Sequence, residues 1–304
     1  MRRVRFLALL LWVLLCMACQ TSSTEKDTLQ PLRGQLTACI EGVDAKVGIA
    51  MVSPEGDTLT INNEGRYPLM SVFKFHQALA VCDALDRQQR TLEEKIHILP
   101  QDLQMDTYSP LKDRYPAGNI DLSIAELLTY TLQWSDNLAC DLLFDRIVSP
   151  EQTDRFLREK TGVNNFQIRH NEAGMQEHLP HGYENWTSPY AAVQLLQHFL
   201  EGKIVDEPFF SFIYQQLVHC QTGARKLALP LKGSSAIIGH KTGGGPTNSE
   251  GRVMANNDIG FVVLPNRSPF LIAVFVKDAR LSPEASDTLI ATLSKTVYQY
   301  FSAK

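Results

Sequence analysis

A chain of 304 residues, 44 % hydrophobic and 20 % charged, holds enough apolar sequence to bury one large core or two interlocked ones. Its 29 basic and 33 acidic residues leave a formal net charge of -4 with no basic block beyond the N-terminal segment, which argues against nucleic acid as a partner. No segment repeats, and no low-complexity run exceeds the polar stretch from Gln20 to Asp27.

The chain begins Met1-Arg2-Arg3-Val4-Arg5 and then runs apolar from Phe6 to Ala18, the charged start and short hydrophobic stretch of an export signal. At about 13 residues this run is too short to span a bilayer stably. Ala18 directly precedes Cys19, as in bacterial lipoprotein signals, although Cys16 stands where an aliphatic residue is usual. Residues 1–19 are therefore expected to act as the signal. Lipidation of Cys19 and a plain signal-peptidase cut both remain open. Either way the mature protein works outside the cytoplasm, in the periplasm or tethered to a membrane through Cys19, and residues 20–27 read as its N-terminal tether. Cys39, Cys82, Cys140 and Cys220 remain after cleavage, none in a C-x-x-C pair. With a core this size none needs joining, and free thiols are expected.

Leu29–Ile40 reads as a first helix. Lys46–Val52 and Thr58–Ile61 then flank Ser53-Pro54-Glu55-Gly56-Asp57, a β-hairpin with the expected turn chemistry. From Val72 to about Gly202 the period becomes helical, with Ala78, Leu79, Cys82 and Leu85 on one stripe and Ile124, Leu127, Leu128 and Leu132 on another. Asn164–Trp186 resists any periodic reading and is predicted to be a long functional loop. Strands return at Ala236–His240, Asp258–Leu264 and Phe270–Val276, and Pro283–Phe301 closes the chain as an amphipathic helix. Strands near both ends with helices between them predict an α/β chain of the α+β type. Residues 20–67 and 222–304 would build one antiparallel sheet domain, and residues 68–221 an inserted all-α domain that includes the loop 164–186.

S-x-x-K occurs three times. Ser23–Lys26 lies in the tether, and Ser109–Lys112 precedes a proline in a polar stretch. Ser71–Lys74 instead opens the apolar helix Val72–Leu85. Residues three apart share a helix face, so Lys74 can reach the Ser71 hydroxyl. A helix start also offers unpaired backbone N–H groups and the positive end of the dipole to an oxyanion. Ser135-Asp136-Asn137 lies between two helical patterns and could pass a proton and bind a carbonyl; it is equally a good N-cap and turn. Lys-Thr-Gly occurs twice. Lys160-Thr161-Gly162 ends a charged helix, where Gly162 suits a C-cap. Lys241-Thr242-Gly243 follows the apolar strand Ala236–His240 and runs on into Gly244-Gly245, offering a cation and a hydroxyl to an anionic substrate with little steric hindrance.

Ser71 and Ser135 stand 64 residues apart, and Ser135 and Lys241 a further 106, each motif in the right order and setting. Together with Met70-Ser71-Val72-Phe73-Lys74 and His240-Lys241-Thr242-Gly243, this set resembles class A serine β-lactamases of the penicillin-recognising superfamily, and most the cephalosporinase branch of Bacteroides-type bacteria. The resemblance implies a five-stranded antiparallel sheet flanked by the terminal helices, and a monomer acting on small-molecule β-lactams, cephalosporins and penicillins, with no cofactor. Ser71 would be the nucleophile, with its proton taken by Lys74 or by Glu172 through water. Ser135 would relay a proton to the lactam nitrogen, Asn137 would hold the acylamino group, and Lys241, Thr242, Gly243 and Gly244 would bind the carboxylate and oxyanion. Glu172, in His170-Asn171-Glu172-Ala173-Gly174-Met175-Gln176, would activate the water that frees the acyl group, a role for which Glu177 and Glu184 compete.

Three departures from the family pattern touch that loop: His170 replaces an anchoring arginine, Ala173 a proline, and Gln176 an asparagine that holds the water. Lys226 aligns with a carboxylate-assisting arginine, and Arg225 could turn inward instead. A penicillin-binding DD-peptidase or β-lactam sensor that stays acylated shares the three motifs and is the rival reading. The eight histidines form no H-E-x-x-H or H-x-H pair, so no zinc hydrolase is expected.

Overall fold

The protein is represented by a computed structural model that describes residues 28–265 and 267–303, so the signal and Cys19 lie outside the described residues. In chain order the elements are α1 (Gln30–Ile40), β1 (Lys46–Val52), β2 (Thr58–Ile61), β3 (Tyr67–Pro68), a 3-10 turn (Met70–Val72), α2 (Phe73–Arg87), β4 (Lys95–Ile98), α3 (Pro110–Arg114), β5 (Ile120–Ser123), α4 (Ile124–Gln133), α5 (Asn137–Arg146) and α6 (Pro150–Thr161). There follow β6 (Phe166–Gln167), α7 (Glu172–Glu177), β7 (Trp186–Thr187), α8 (Pro189–Leu200), α9 (Phe209–Val218), β8 (Ile237–Gly244), β9 (Val253–Val263), β10 (Phe270–Ala279) and α10 (Pro283–Ser302).

The five-stranded sheet has the order β2-β1-β10-β9-β8, antiparallel throughout. Its central strands are apolar on both sides because both faces are covered. In β10, Phe270, Ile272, Val274 and Val276 pack with α1 and α10, while Leu271, Ala273 and Phe275 face the helical core that contains α2 and α8. Period-two side-chain alternation thus feeds two separate cores from one continuous hydrophobic run. Each fully buried Leu, Ile or Phe in it is worth about 1.5–3 kcal/mol.

Sequence chemistry fixes the helix starts. Ser123 and Ser149 close capping boxes with Glu126 and Gln152, Asp136 caps α5, and Ser282 caps α10. Gly162 ends α6 at φ 72°, as expected of the first Lys-Thr-Gly. Ser109 is a buried N-cap of α3. The stretch read as an aperiodic loop contains the six-residue α7, a 3-10 turn at Leu179–Tyr183 and the two-residue β6. The third motif is part of β8 itself, which continues past His240 to Gly244, and β9 begins at Val253, five residues before the strand expected there. Among the described residues Cys39, Cys82, Cys140 and Cys220 are free thiols.

Candidate active site

Met70 precedes the serine with φ 43°, and Ser135 stands at φ 59°. Left-handed backbone at a non-glycine residue costs about 1–3 kcal/mol and persists only where surroundings impose it. Here they do. Leu69 N–H donates to the Asn185 carbonyl at 2.8 Å, and Asn257 Nδ2 on β9 donates to the Pro68 carbonyl at 2.7 Å. Gly243 leaves room for the same segment: a Cβ there would sit 2.5 Å from the Leu69 carbonyl oxygen and 3.2 Å from Val72 N. The start of α2 is thereby pressed against β8.

Lys74, fully buried in the first turn of α2, is the meeting point of three chain segments. Its Nζ lies 3.0 Å from Ser71 Oγ, 2.8 Å from the Ser135 carbonyl oxygen, 2.6 Å from Asn137 Oδ1 and 2.7 Å from Glu172 Oε1. An ammonium has three N–H bonds, so these four acceptors exceed its donors. Ser71 Oγ in turn donates to Glu172 Oε1 at 3.3 Å. The hydroxyl thus has the Glu172 carboxylate within direct reach, and Lys74 becomes a second acceptor once it has passed a proton to Glu172 Oε1 at 2.7 Å, so the geometry leaves both routes for its proton available.

Asp136 holds the second motif in place. Its buried carboxylate accepts from Ser109 Oγ, from Leu111 N at 2.7 Å and from Ala139 N at 2.8 Å, while burial pushes its pKa up. Thr107 Oγ1 accepts from Asn137 Nδ2 at 2.8 Å, which turns Asn137 Oδ1 toward Lys74. On the far wall Lys241 Nζ donates to Ser135 Oγ at 2.9 Å and to the Thr242 carbonyl at 3.0 Å. Burial, with Lys74 adding like charge, lowers the Lys241 pKa to about 8. Behind it His240 pairs with Asp258 at 2.9 Å. Burial opposes the charge on His240, but Asp258 and Cys220 outweigh it and raise the pKa to about 10. Thr242 Oγ1 is 2.6 Å from Thr222 Oγ1.

The loop acids separate clearly. Glu172 opens α7 beside the serine, Glu184 is engaged by Arg169 and His170 at 3.1 Å each, and Glu177 is exposed at the end of α7. Asp141 of α5, which no sequence motif marked, accepts from Glu172 N and Ala173 N at 2.8 Å each and so sets the helix that carries Glu172. Burial raises the Asp141 pKa to about 7 against the pull of those two donors. Gln176 Nε2 reaches across to the Asp106 carbonyl at 2.6 Å, which commits one end of its amide. Asn185 anchors the loop base, its Oδ1 accepting from Arg169 N and His170 N and its Nδ2 donating to the His170 carbonyl. Lys226 is buried and donates to the Asn257 carbonyl at 3.3 Å, whereas Arg225 turns outward onto Asp287 at 3.2 Å, so the inward arginine is not adopted.

Met70, Asn137, Glu172, Gln176 and Gly244 line a cavity of about 360 Å³, of a size for a small molecule, whose walls carry Glu172 and Asn137 although not Ser71 itself. A larger groove of about 890 Å³, lined by Lys46, Tyr183 and Arg252, holds none of the motif residues.

Comparison with known proteins points the same way. A family model described as the beta-lactamase enzyme family matches residues 31–301. A beta-lactamase of Phocaeicola vulgatus is 35% identical over 282 residues, covering 91% of this chain and 88% of its own. One of Bacteroides uniformis is 32% identical over 289 residues, covering 94% and 96%. The crystal structure of a class A beta-lactamase from Bacteroides cellulosilyticus superposes with a TM-score of 0.86 at 32% identity, covering 90% of this chain and 98% of that one. With the fold, the motif order and these likenesses in agreement, the chain belongs to the beta-lactamase enzyme family, within class A.

Proposed function

We propose that the chain hydrolyses the amide of cephalosporins and penicillins through an ester on Ser71. Ser71 Oγ attacks the lactam carbonyl as its proton passes to Lys74, acting as the neutral amine after giving a proton to Glu172 across their 2.7 Å contact, or through water to Glu172 as carboxylate. The oxyanion is held by the backbone N–H groups of Ser71 and Gly244. Ser135 returns a proton to the lactam nitrogen, Asn137 binds the acylamino group, and Lys241 with Thr242 and Gly243 receives the carboxylate. Lys226 adds positive charge from beneath β8. Glu172 then draws a proton from a water molecule that attacks the ester, and Ser71 is regenerated.

The observation that carries this reading is the convergence on Lys74 Nζ of Ser71, Ser135, Asn137 and Glu172 within 3.0 Å. The carboxylate beside the serine supports the hydrolytic half, since an acyl-trapping protein has no need of it. Mixing the purified protein with a chromogenic cephalosporin tests the reading. Many turnovers per active site are expected, and one stoichiometric burst followed by silence would instead identify a penicillin-binding DD-peptidase or sensor.

We further propose that residues 1–19 direct export, leaving the mature protein either in the periplasm or tethered to a membrane through a lipidated Cys19, and that it acts as a monomer. Activity that moves from the membrane fraction to the soluble periplasmic fraction in Cys19→Ala identifies the tether, and activity soluble in both identifies a plain cut. The division into a sheet unit (20–67 and 222–304) and a helical unit (68–221) draws support from the separate cores on the two faces of the sheet.

A further inference from the structure

A cysteine that the proposed chemistry does not use stands in a buried charge cluster behind β8. Cys220 follows the end of α9, and its thiol shares a hydrogen bond with His240. His240 Nδ1 is held on its other side by Asp258, 2.9 Å from Oδ1 and 3.1 Å from Oδ2, which leaves Nε2 as the ring nitrogen for the sulfur. We propose that Cys220 is a modification site of the folded protein, a nucleophilic sulfur poised to exchange with small disulfides.

Three observations support the assignment. Sulfur, imidazole and carboxylate stand in the order in which a carboxylate keeps a histidine charged and the histidine draws the proton from a thiol. The local charges also call for an anion at the sulfur. His240, Lys241 and Lys226 are each at most 8% exposed, and Asp258 is a carboxylate that acts on all three. Asp287, which faces Lys226, is already paired with Arg225, and Glu172, on the far side of Lys241, is spent on Lys74. Buried cations are costly unless paired, and a thiolate supplies the second negative charge. Burial pushes the Cys220 pKa up, but His240, Lys241 and the Thr222 hydroxyl outweigh it and bring it down to about 7. Finally, Cys220 is partly exposed, whereas Cys82 and Cys140 are fully buried.

In the exchange, Sγ attacks one sulfur of the disulfide. The new S–S bond forms as the old one breaks, and the second sulfur leaves as a thiolate, so the disulfide itself is the oxidant. Thr222 Oγ1 lies 3.4 Å from Cys220 Sγ and 2.6 Å from Thr242 Oγ1, so a group on the sulfur pushes against the hydroxyl pair beside the carboxylate pocket. That consequence rests on the hydrolytic reading; formation of the adduct does not.

The test treats the full mature protein with iodoacetamide or oxidised glutathione, without β-lactam, and locates the modified residues by peptide mass spectrometry. Cys220 is expected to react at least tenfold faster at pH 7 than Cys39, which is likewise partly exposed, while Cys82 and Cys140 stay unmodified and so report an intact fold. The alkylation rate at Cys220 should be half-maximal near pH 7, and His240→Asn should slow it at least tenfold at that pH. Reaction no faster than at Cys39, a rate still climbing above pH 9, or a rate unaltered in folded His240→Asn would overturn the site. Should that variant expose Cys82 or Cys140, the pH profile of the unaltered protein decides alone. The glutathione adduct should raise KM for a chromogenic cephalosporin at least threefold, with recovery on adding dithiothreitol. An unchanged KM in fully modified protein would refute the link to Thr242, whereas no turnover before modification would count against the hydrolytic reading instead.

Discussion

Replacing Glu172 by glutamine keeps the shape of the side chain and removes its charge and basicity. In the structure that carboxylate touches both Lys74 Nζ (2.7 Å) and Ser71 Oγ (3.3 Å), and its side chain is 11% exposed, so water can reach it. Lys74 would keep its contacts with Ser71, the Ser135 carbonyl and Asn137, and the serine would keep one basic neighbour. Ester formation should therefore continue. Ester hydrolysis loses its general base, worth about 10²–10⁴ in rate, or roughly 3–5 kcal/mol of barrier. Stopped-flow measurement with a chromogenic cephalosporin should show a stoichiometric burst followed by turnover slowed by that factor. Intact-protein mass spectrometry should show one adduct on Glu172→Gln and none on Ser71→Ala. Turnover within threefold of the unaltered protein would refute the assignment of Glu172 to the hydrolytic step, and absence of any adduct would refute the role given to Lys74.

Lys241 should impose a basic limb on kcat/KM. Its pKa is lowered to about 8, so the ammonium that receives the substrate carboxylate is lost as pH rises through that value, by up to tenfold per pH unit beyond it. Lys241→Arg, which stays charged, should remove the limb; a flat profile to pH 10 in the unaltered protein would contradict the role. Gly243→Ala forces a Cβ to 2.5 Å from the Leu69 carbonyl oxygen. An overpacking cost of about 1–3 kcal/mol and at least a tenfold loss of turnover are expected, readable by thermal melt and steady-state kinetics. Asp136→Ala leaves the buried Leu111 and Ala139 N–H groups without their acceptor. At about 1–3 kcal/mol for each, and roughly 2–4 °C per kcal/mol for a chain of this size, the melting temperature should fall by about 4–24 °C. A change below 2 °C would show that the cap does not hold the second motif.

Much of the fold could be read from local pattern. The hairpin of β1 and β2 and the helices α1 and α10 coincide with the expected ranges to within a residue, because turn chemistry, caps and amphipathic period act over a few residues. The errors have local causes as well. β9 begins five residues before the expected Asp258 because Asn256 and Asn257, poor strand formers, are buried there, with Asn257 spent on the Pro68 and Leu69 carbonyls. β8 runs past the expected His240 because Gly243 and Gly244, poor strand formers, pair through their register with Asn257 and Asn256. α7 has six residues, too few to display a period, and owes its start to the Asn171 cap and the Asp141 carboxylate.

The site divides along the same line. Motif order and helix placement were enough to choose Ser71–Lys74 over two other S-x-x-K pairs and Lys241-Thr242-Gly243 over the earlier copy, since a reactive serine needs a helix start and a substrate cradle needs a strand edge. Sequence also carried the family resemblance and so the reaction class. Tertiary structure alone decided which loop acid meets the serine, that Asp141 and Thr107 orient Glu172 and Asn137, that Arg225 faces outward, and that Cys220 meets His240. Those facts depend on contacts between residues 20 to 101 positions apart, and no periodicity or cap encodes the distance between side chains that only the packed sheet and helices bring together.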